Sequence, residues 1–207
     1  MPDLRVLDAV AEAHAATRAH VNRQVAVSPR ELSTADSRWR ATGGIDFIQR
    51  VQATTVAEAL AGGEHEALPV VSLTAPTSRT AVIPEGPVSI RDLAGVYVFD
   101  NTLAAVLLTG AELRAHLEHA ARYYADLPHG QRFDPATMTG AERDGQTIWD
   151  YQYDIAWGVE YEINLNEPVG RRIGELRHPD GRPVAAADRF AVALNHYRLS
   201  GAGDYRQ

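Results

Sequence analysis

The sequence predicts an α+β fold, and three observations carry that prediction. Helical spacing of apolar residues dominates residues 4 to 61, while β-branched and alternating runs cluster after residue 68. The two kinds of element do not alternate regularly, which argues against a βαβ architecture. Between them, one strand-to-helix junction carries a complete helix-start signature.

Taken in order, Leu4, Leu7, Val10, Ala11 and His14 share a face of a helix over residues 4–22, with Asp3 placed to cap it. Residues 22–44, with Pro29, Gly43 and Gly44, read as an extended connector. Ile45, Ile48, Val51, Thr55, Val56 and Leu60 define a second helix, stopped at Gly62 and Gly63. LPVVSLTAP (68–76) is a short buried strand bounded by prolines. The Pro and Gly density before Val96 reads as a loop, and the aromatic stretch from Val96 to Phe99 as a strand. NTLAAVLL (101–108) is a strand, and Thr109-Gly110-Ala111-Glu112 forms a capping box that opens a helix on Leu113, Leu117, Ala120 and Tyr124. Residues 125–150 are a long polar excursion. VEYEINL (159–165) alternates as a half-buried strand, RIGELRHPDGRPV (172–184) reads as two strands joined at Pro179-Asp180-Gly181, and DRFAVALNHY (188–197) is the last strand.

The 207 residues suffice to bury roughly 70% of the unfolded surface. A net charge of -7 excludes a broad electrostatic grip on a nucleic-acid polymer, which needs a basic surface. The sequence contains no lysine, so all 20 fixed side-chain cations are arginines, whose planar fork suits phosphate or carboxylate. The lack of cysteine removes disulfides, thiolate nucleophiles and Cys-based zinc sites. No window approaches the roughly 18 apolar residues of a membrane span.

No complete catalytic signature is present. His116 and His119 lie three apart on one helix and could share a metal, but a solvated helix face is the favoured reading; Glu64-His65-Glu66 is a loop cluster without a second ligand group. Three strand-to-loop junctions carry binding chemistry instead: TSR around Arg79, YVFDN around Phe99, and NHYRLSGAGD around Tyr197. An aromatic face stacks on a base, an Asn amide pairs with a base edge and an Arg forks onto phosphate. Ordinary core packing is the alternative for both aromatics.

The stretches VSLTAPTSR, VSIRDLAGVYVFDNTLAAVLLTGAELRAHLEHAARYY, YDIAWGVEYEINLNEPVGRRI and RFAVALNHYRLSGAGDY, in that order, resemble the C-terminal domain of the 5′-nucleotidase and 2′,3′-cyclic-nucleotide 2′-phosphodiesterase family. YDIAWGVEYEINL and NHYR are more similar to the cyclic-nucleotide branch. The resemblance implies a mixed sheet with packed helices, residues 25–207 forming a nucleotide-binding domain and residues 1–24 a helix on the side of a preceding domain. It implies that Phe99 and Tyr197 sandwich the base, that Asn101 bonds the base edge, that Arg79 and the more loosely aligned Arg38 contact phosphate, and that Asp204 holds the ribose hydroxyls. GAGDY departs from the commoner Gly-Gly-Asp-Gly by one extra residue. The partners implied are a nucleotide or nucleoside and an N-terminal metallophosphatase domain carrying two divalent metal ions, with no cofactor in this chain. The family's metal signatures, Asp-x-His and Gly-Asn-His-Glu/Asp, do not occur here. The chain is thus expected to be the recognition half of an exported or wall-attached hydrolase, inactive alone, and its ends fit a fragment. The competing readings are a plain 5′-nucleotidase substrate domain, a non-catalytic interaction module, and a metalloenzyme using His65, His116 and His119.

Overall fold

The structure, a computed structural model, describes residues 3–205. Its elements run α1 (Leu4–Val21), β1 (Gln24–Ser28), β2 (Leu32–Ser33), α2 (Gly43–Leu60), β3 (Val70–Thr74), β4 (Val82–Ile83), β5 (Gly86–Ser89), α3 (Ile90–Val96), β6 (Leu103–Thr109), α4 (Gly110–Ala120), α5 (Pro135–Met138), β7 (Glu142–Arg143), β8 (Gln146–Thr147), β9 (Ile155–Trp157), β10 (Arg189–Asn195) and α6 (His196–Leu199).

A four-stranded sheet in the order β6-β10-β3-β9 organises the molecule. β10 pairs parallel to β3 and antiparallel to β6, and β9 pairs antiparallel to β3, so the sheet is mixed. Along β3 and β10 the pleat sends Val71, Leu73, Phe190, Val192 and Leu194 to one face, where Leu113 and Leu117 of α4 and Val159, Ile173 and Leu176 of the segment 159–184 complete the main core. Each such large side chain contributes on the order of 1.5–3 kcal/mol by burial. The opposite residues are small: Ser72, Ala191 and Ala193. They allow α2 to lie close over that face, where Gln52 Nε2 donates to Ser72 Oγ at 3.2 Å. A second cluster joins Ile45 and Ile48 of α2 to Ile83, Val88 and Val96.

Helix starts follow local chemistry. Asp3 accepts from Arg5 N–H at 2.9 Å, and Thr109 and Glu112 form the capping box that their spacing implies. α4 ends at Ala120, a turn earlier than its periodicity suggests, and Tyr123 and Tyr124 turn into a separate aromatic cluster.

Three sequence readings need correction. The Pro- and Gly-rich stretch contains β5, which pairs with β1 from the connector, and a helix, α3, whose Ser89 N–H donates to Asp92 at 2.7 Å in a capping box built with Asp. The aromatic stretch Tyr97 to Phe99 is irregular, because the helix exit at Val96 turns the chain before it can enter the sheet. Residues 159–184 keep their in-out alternation but make only isolated bridges, Glu160 with Arg177, Ile163 with Ile173 and Arg177 with Pro183. Their order comes partly from Arg172, fully buried, which donates to the carbonyls of Ala121 (2.8 Å) and Tyr124 (2.7 Å) and pairs with Asp126.

Candidate functional site

Strand direction decides where the candidate side chains meet. Because β3 and β10 are parallel, their C-terminal ends lie together; because β6 and β9 run antiparallel to them, those strands begin at the same end. The segments after β3 (Arg79), before β6 (Phe99, Asn101), before β9 (Asp150, Asp154) and after β10 (Tyr197, Asp204) therefore converge on one end of the sheet.

Phe99 is 53% exposed and Tyr197 46% exposed, so neither belongs to a core cluster. The packing alternative for these two aromatics does not hold here. Their segments are stapled together. Asn195 faces Leu103 in the ladder, Thr102 N–H donates to His196 Nδ1 at 3.0 Å, and His196 N–H donates to Thr102 O at 2.9 Å. Tyr97 Oη accepts from Asn101 Nδ2 and from Asn195 Nδ2, each at 3.0 Å, while its ring meets Phe99 edge-on at 6.4 Å. With its amide nitrogen held there, Asn101 presents Oδ1 as an acceptor without a partner among the described residues.

Behind Tyr197 lies a buried polar cluster that sequence reasoning missed. Asp154, 2% exposed, receives Arg198 Nε at 2.7 Å and Nη2 at 2.9 Å, and bonds His116 Nε2 at 2.9 Å. Burial pushes the Asp154 carboxyl up, but the His116 hydrogen bond and the Arg198 charge outweigh it and hold the group below the usual carboxylate range. The Arg198 guanidinium sits 4.2 Å over the Tyr205 ring, which also packs against His116 and His119. His116 and His119 are thus not a solvated face: the first bonds Asp154 and the second bonds Gly203 O at 2.9 Å. The signal was available, since HxxH on a helix with its first His in phase with Leu113, Leu117 and Ala120 points inward.

Arg79 is exposed and gripped by Asp150, Nε at 2.6 Å and Nη2 at 3.0 Å, an ion pair that raises its pKa; Nη1 has no partner among the described residues. Tyr123 Oη also donates to Asp150, at 2.8 Å. Its pKa is pushed up to about 12, by burial first and by Asp150 second, with Arg38 acting against both. Arg38 belongs to this neighbourhood: it donates to Thr139 Oγ1 at 3.2 Å, and its carbonyl accepts from Tyr124 Oη. Tyr123 and Tyr153 stack at 4.8 Å beneath the two arginines. Asp204 is exposed at φ 63° and lines a cavity of about 510 Å3 with Arg122, Tyr151 and Gln152, apart from the Phe99 segment. Among the described residues no group of three or more His, Asp or Glu side chains is arranged to hold a metal, and no helix is long and apolar enough to cross a membrane.

The chain is an α+β domain whose loops meet at one end of a mixed sheet, with two half-exposed aromatics among them. The family described as 5′-nucleotidase, C-terminal domain, matches residues 15–207, and the chain belongs to it. The trifunctional nucleotide phosphoesterase protein YfkN of Bacillus subtilis is 23% identical over 97% of this chain and 15% of its own length. The 2′,3′-cyclic-nucleotide 2′-phosphodiesterase/3′-nucleotidase of Haemophilus influenzae is 30% identical over 61% of this chain and 20% of its own length. The fold is that of a 5′-nucleotidase precursor from Thermus thermophilus, with a TM-score of 0.70 at 18% identity, covering 98% of this chain and 35% of that one. The chain spans well under half the length of each of these relatives.

Proposed function

We propose that this chain recognises the base and ribose of a nucleotide for a two-metal phosphohydrolase of the 2′,3′-cyclic-nucleotide 2′-phosphodiesterase/3′-nucleotidase type. The observation that carries the proposal is the convergence of half-exposed Phe99 and Tyr197, with the Asn101 acceptor, on the sheet end that also bears Arg79. A base between two aromatic faces gains about 1–3 kcal/mol per stacking contact whatever its identity. Asn101 Oδ1 would accept from a ring amine, as in adenine or cytosine. Arg79 Nη1 would reach phosphate without surrendering Asp150, and Arg38 would add a second cation. Asp204 would meet the ribose hydroxyls from the side of the Arg122 and Tyr151 cavity that it lines.

Among the described residues no group of three or more His, Asp or Glu side chains is placed to hold a metal, and the roles proposed here for this chain are in binding. Their contribution is positioning, which converts an encounter of ester and nucleophile into an effectively unimolecular step. The metals would be held by a metallophosphatase domain preceding residues 25–207, with residues 1–24 on the linker side, in an extracytoplasmic parent. The likeness to the Thermus 5′-nucleotidase precursor keeps a 5′-monophosphate as the alternative substrate.

Titration of AMP and adenosine into the chain, followed by NMR, tests the reading. Saturable binding that Phe99→Ala and Tyr197→Ala each abolish supports it; binding unaffected by both overturns it. Incubation with Mn2+ and 2′,3′-cyclic AMP is expected to give no turnover, and turnover of about 1 s⁻¹ or more would overturn the division of labour.

A further inference from the structure

At the free edge of β9 lies a cavity of about 610 Å3 whose lining does not include Phe99, Asn101 or Tyr197. Its size falls within the roughly 300–1,000 Å3 typical of small-molecule sites. It runs from the first turn of α2 past Ile155 to Trp157 and on to Tyr161, with Trp39 and Phe133 giving further aromatic wall. The site proposed above does not account for it.

Buried polar side-chain atoms in folded proteins are almost always hydrogen-bonded, and each exception calls for a cause. Among the described residues three such atoms lack a partner: Ser37 Oγ, Thr42 Oγ1 and Gln49 Oε1. All three residues line this one cavity, although they come from the connector, the N-cap and the second turn of α2. Ser37 and Gln49 are 2% and 1% exposed. The Gln49 amide is not free to turn, because its Nε2 donates to Ile155 O at 2.6 Å, so Oε1 can only accept. Thr42 caps α2 without a side-chain bond to the helix, which leaves its hydroxyl free for a partner in the cavity. A helix N-cap normally spends that hydroxyl on the first turn.

We propose that this cavity is a second binding site, taking a planar amino- or amide-bearing heteroaromatic ring. The aromatic wall supplies stacking area, Gln49 Oε1 accepts from the ring's amine or amide N–H, and the Ser37 and Thr42 hydroxyls donate to its adjacent ring nitrogen or carbonyl. A purely apolar ligand would leave all three oxygens unpaired and is disfavoured. Arg40 and Asp46 both line the cavity and offset each other in charge, so the acceptor-only Gln49 oxygen is what disfavours an anion.

The test separates this site from the one at the sheet end. In a Phe99→Ala/Tyr197→Ala background, which leaves the cavity untouched, adenine is titrated while the fluorescence of Trp39 and Trp157 and the NMR resonances of α2 are followed. Saturable quenching with shifts at Thr42 and Gln49 is expected. Ser37→Ala and Thr42→Val together should weaken adenine by at least about tenfold, the effect of lost hydrogen bonds. The melting temperature should stay unchanged or rise, because neither hydroxyl has a protein partner to lose. Overturning results are no saturable binding, shifts confined to segments outside the cavity, or an affinity indifferent to the two substitutions; each would make this a cavity that only holds water. Failure of AMP binding at Phe99 and Tyr197 in the parent chain would leave the outcome here unaffected.

Discussion

The two half-exposed aromatics at the sheet end are held by opposite means. Tyr197 stands on a four-residue helix whose next residue, Arg198, is locked to buried Asp154 and covered by Tyr205. Phe99 stands on an irregular segment held by one phenol, Tyr97 Oη, and by a few exposed backbone bonds. One wall is thus set by desolvated charge, where loosening either partner strands the other. The other is set by neutral hydrogen bonds whose net contribution is about 1 kcal/mol each. The comparison teaches that one end of a sheet can carry a segment anchored by buried charge beside a segment held only by neutral bonds, so the two should differ in stability.

The strongest way to break the difference is Asp154→Asn, which leaves Arg198 buried without its anion and should cost about 3–5 kcal/mol in denaturant unfolding, together with nucleotide affinity. A loss no larger than that of an ordinary surface change would refute the clamp. Gly203→Ala comes next. At φ 78° an added Cβ would lie 2.4 Å from Arg198 Nη1, so a destabilisation of about 1–3 kcal/mol is expected, read by thermal melting. Tyr97→Phe should cost about 1–2 kcal/mol. Its sharper readout is selectivity: Asn101, released from Tyr97, should lose its preference for amine-bearing bases over inosine, and an unchanged ratio would contradict the assigned orientation.

Acid sharpens the contrast. His119 has a pKa held below its ordinary 6.5, chiefly by burial. A depressed value gives stability that is present above the unfolded pKa and declines as pH falls below it, and Asp154 adds the same dependence below its ordinary 3.8. Amide protection factors, which correct for the slower intrinsic exchange in acid, should therefore fall across residues 200–205 as pH drops below 6.5 before they fall across 97–102; a simultaneous fall would argue against a separate clamp. The smallest effect is Phe99→Ala, expected within about 0.5 kcal/mol of wild type because the ring is half in solvent.

Legibility in the sequence followed the range of the interaction. The capping box at Thr109, the Asp3 cap and the strand at 188–197, found as Arg189–Asn195, rest on local signals and match the structure. The Ser89-Asp92 box was equally local, but the prolines nearby obscured it. The long-range partners were not legible: nothing in one dimension brings Asp154 to Arg198, Arg79 to Asp150, or Ser37 to Gln49. His116 shows the boundary, since its helical phase marked it as inward while its partner could only be found in space. The candidate residues Arg79, Phe99, Asn101, Tyr197, Arg38 and Asp204 came from motif resemblance, and their roles rest on the ligand titrations above.

The central strand, β10, is also the last strand of the chain, and it joins β6 on one side and β3 on the other. Residues 191–193 pair with 70–72 across more than half the sequence. Loop closure over such a span makes sheet assembly slow. During synthesis β3 and β6 each keep an unpaired edge until β10 emerges, so the Phe99 and Tyr197 segments are joined only then. β3 can pair with β9 beforehand, but the link to β6, and with it the candidate site, forms in one late event.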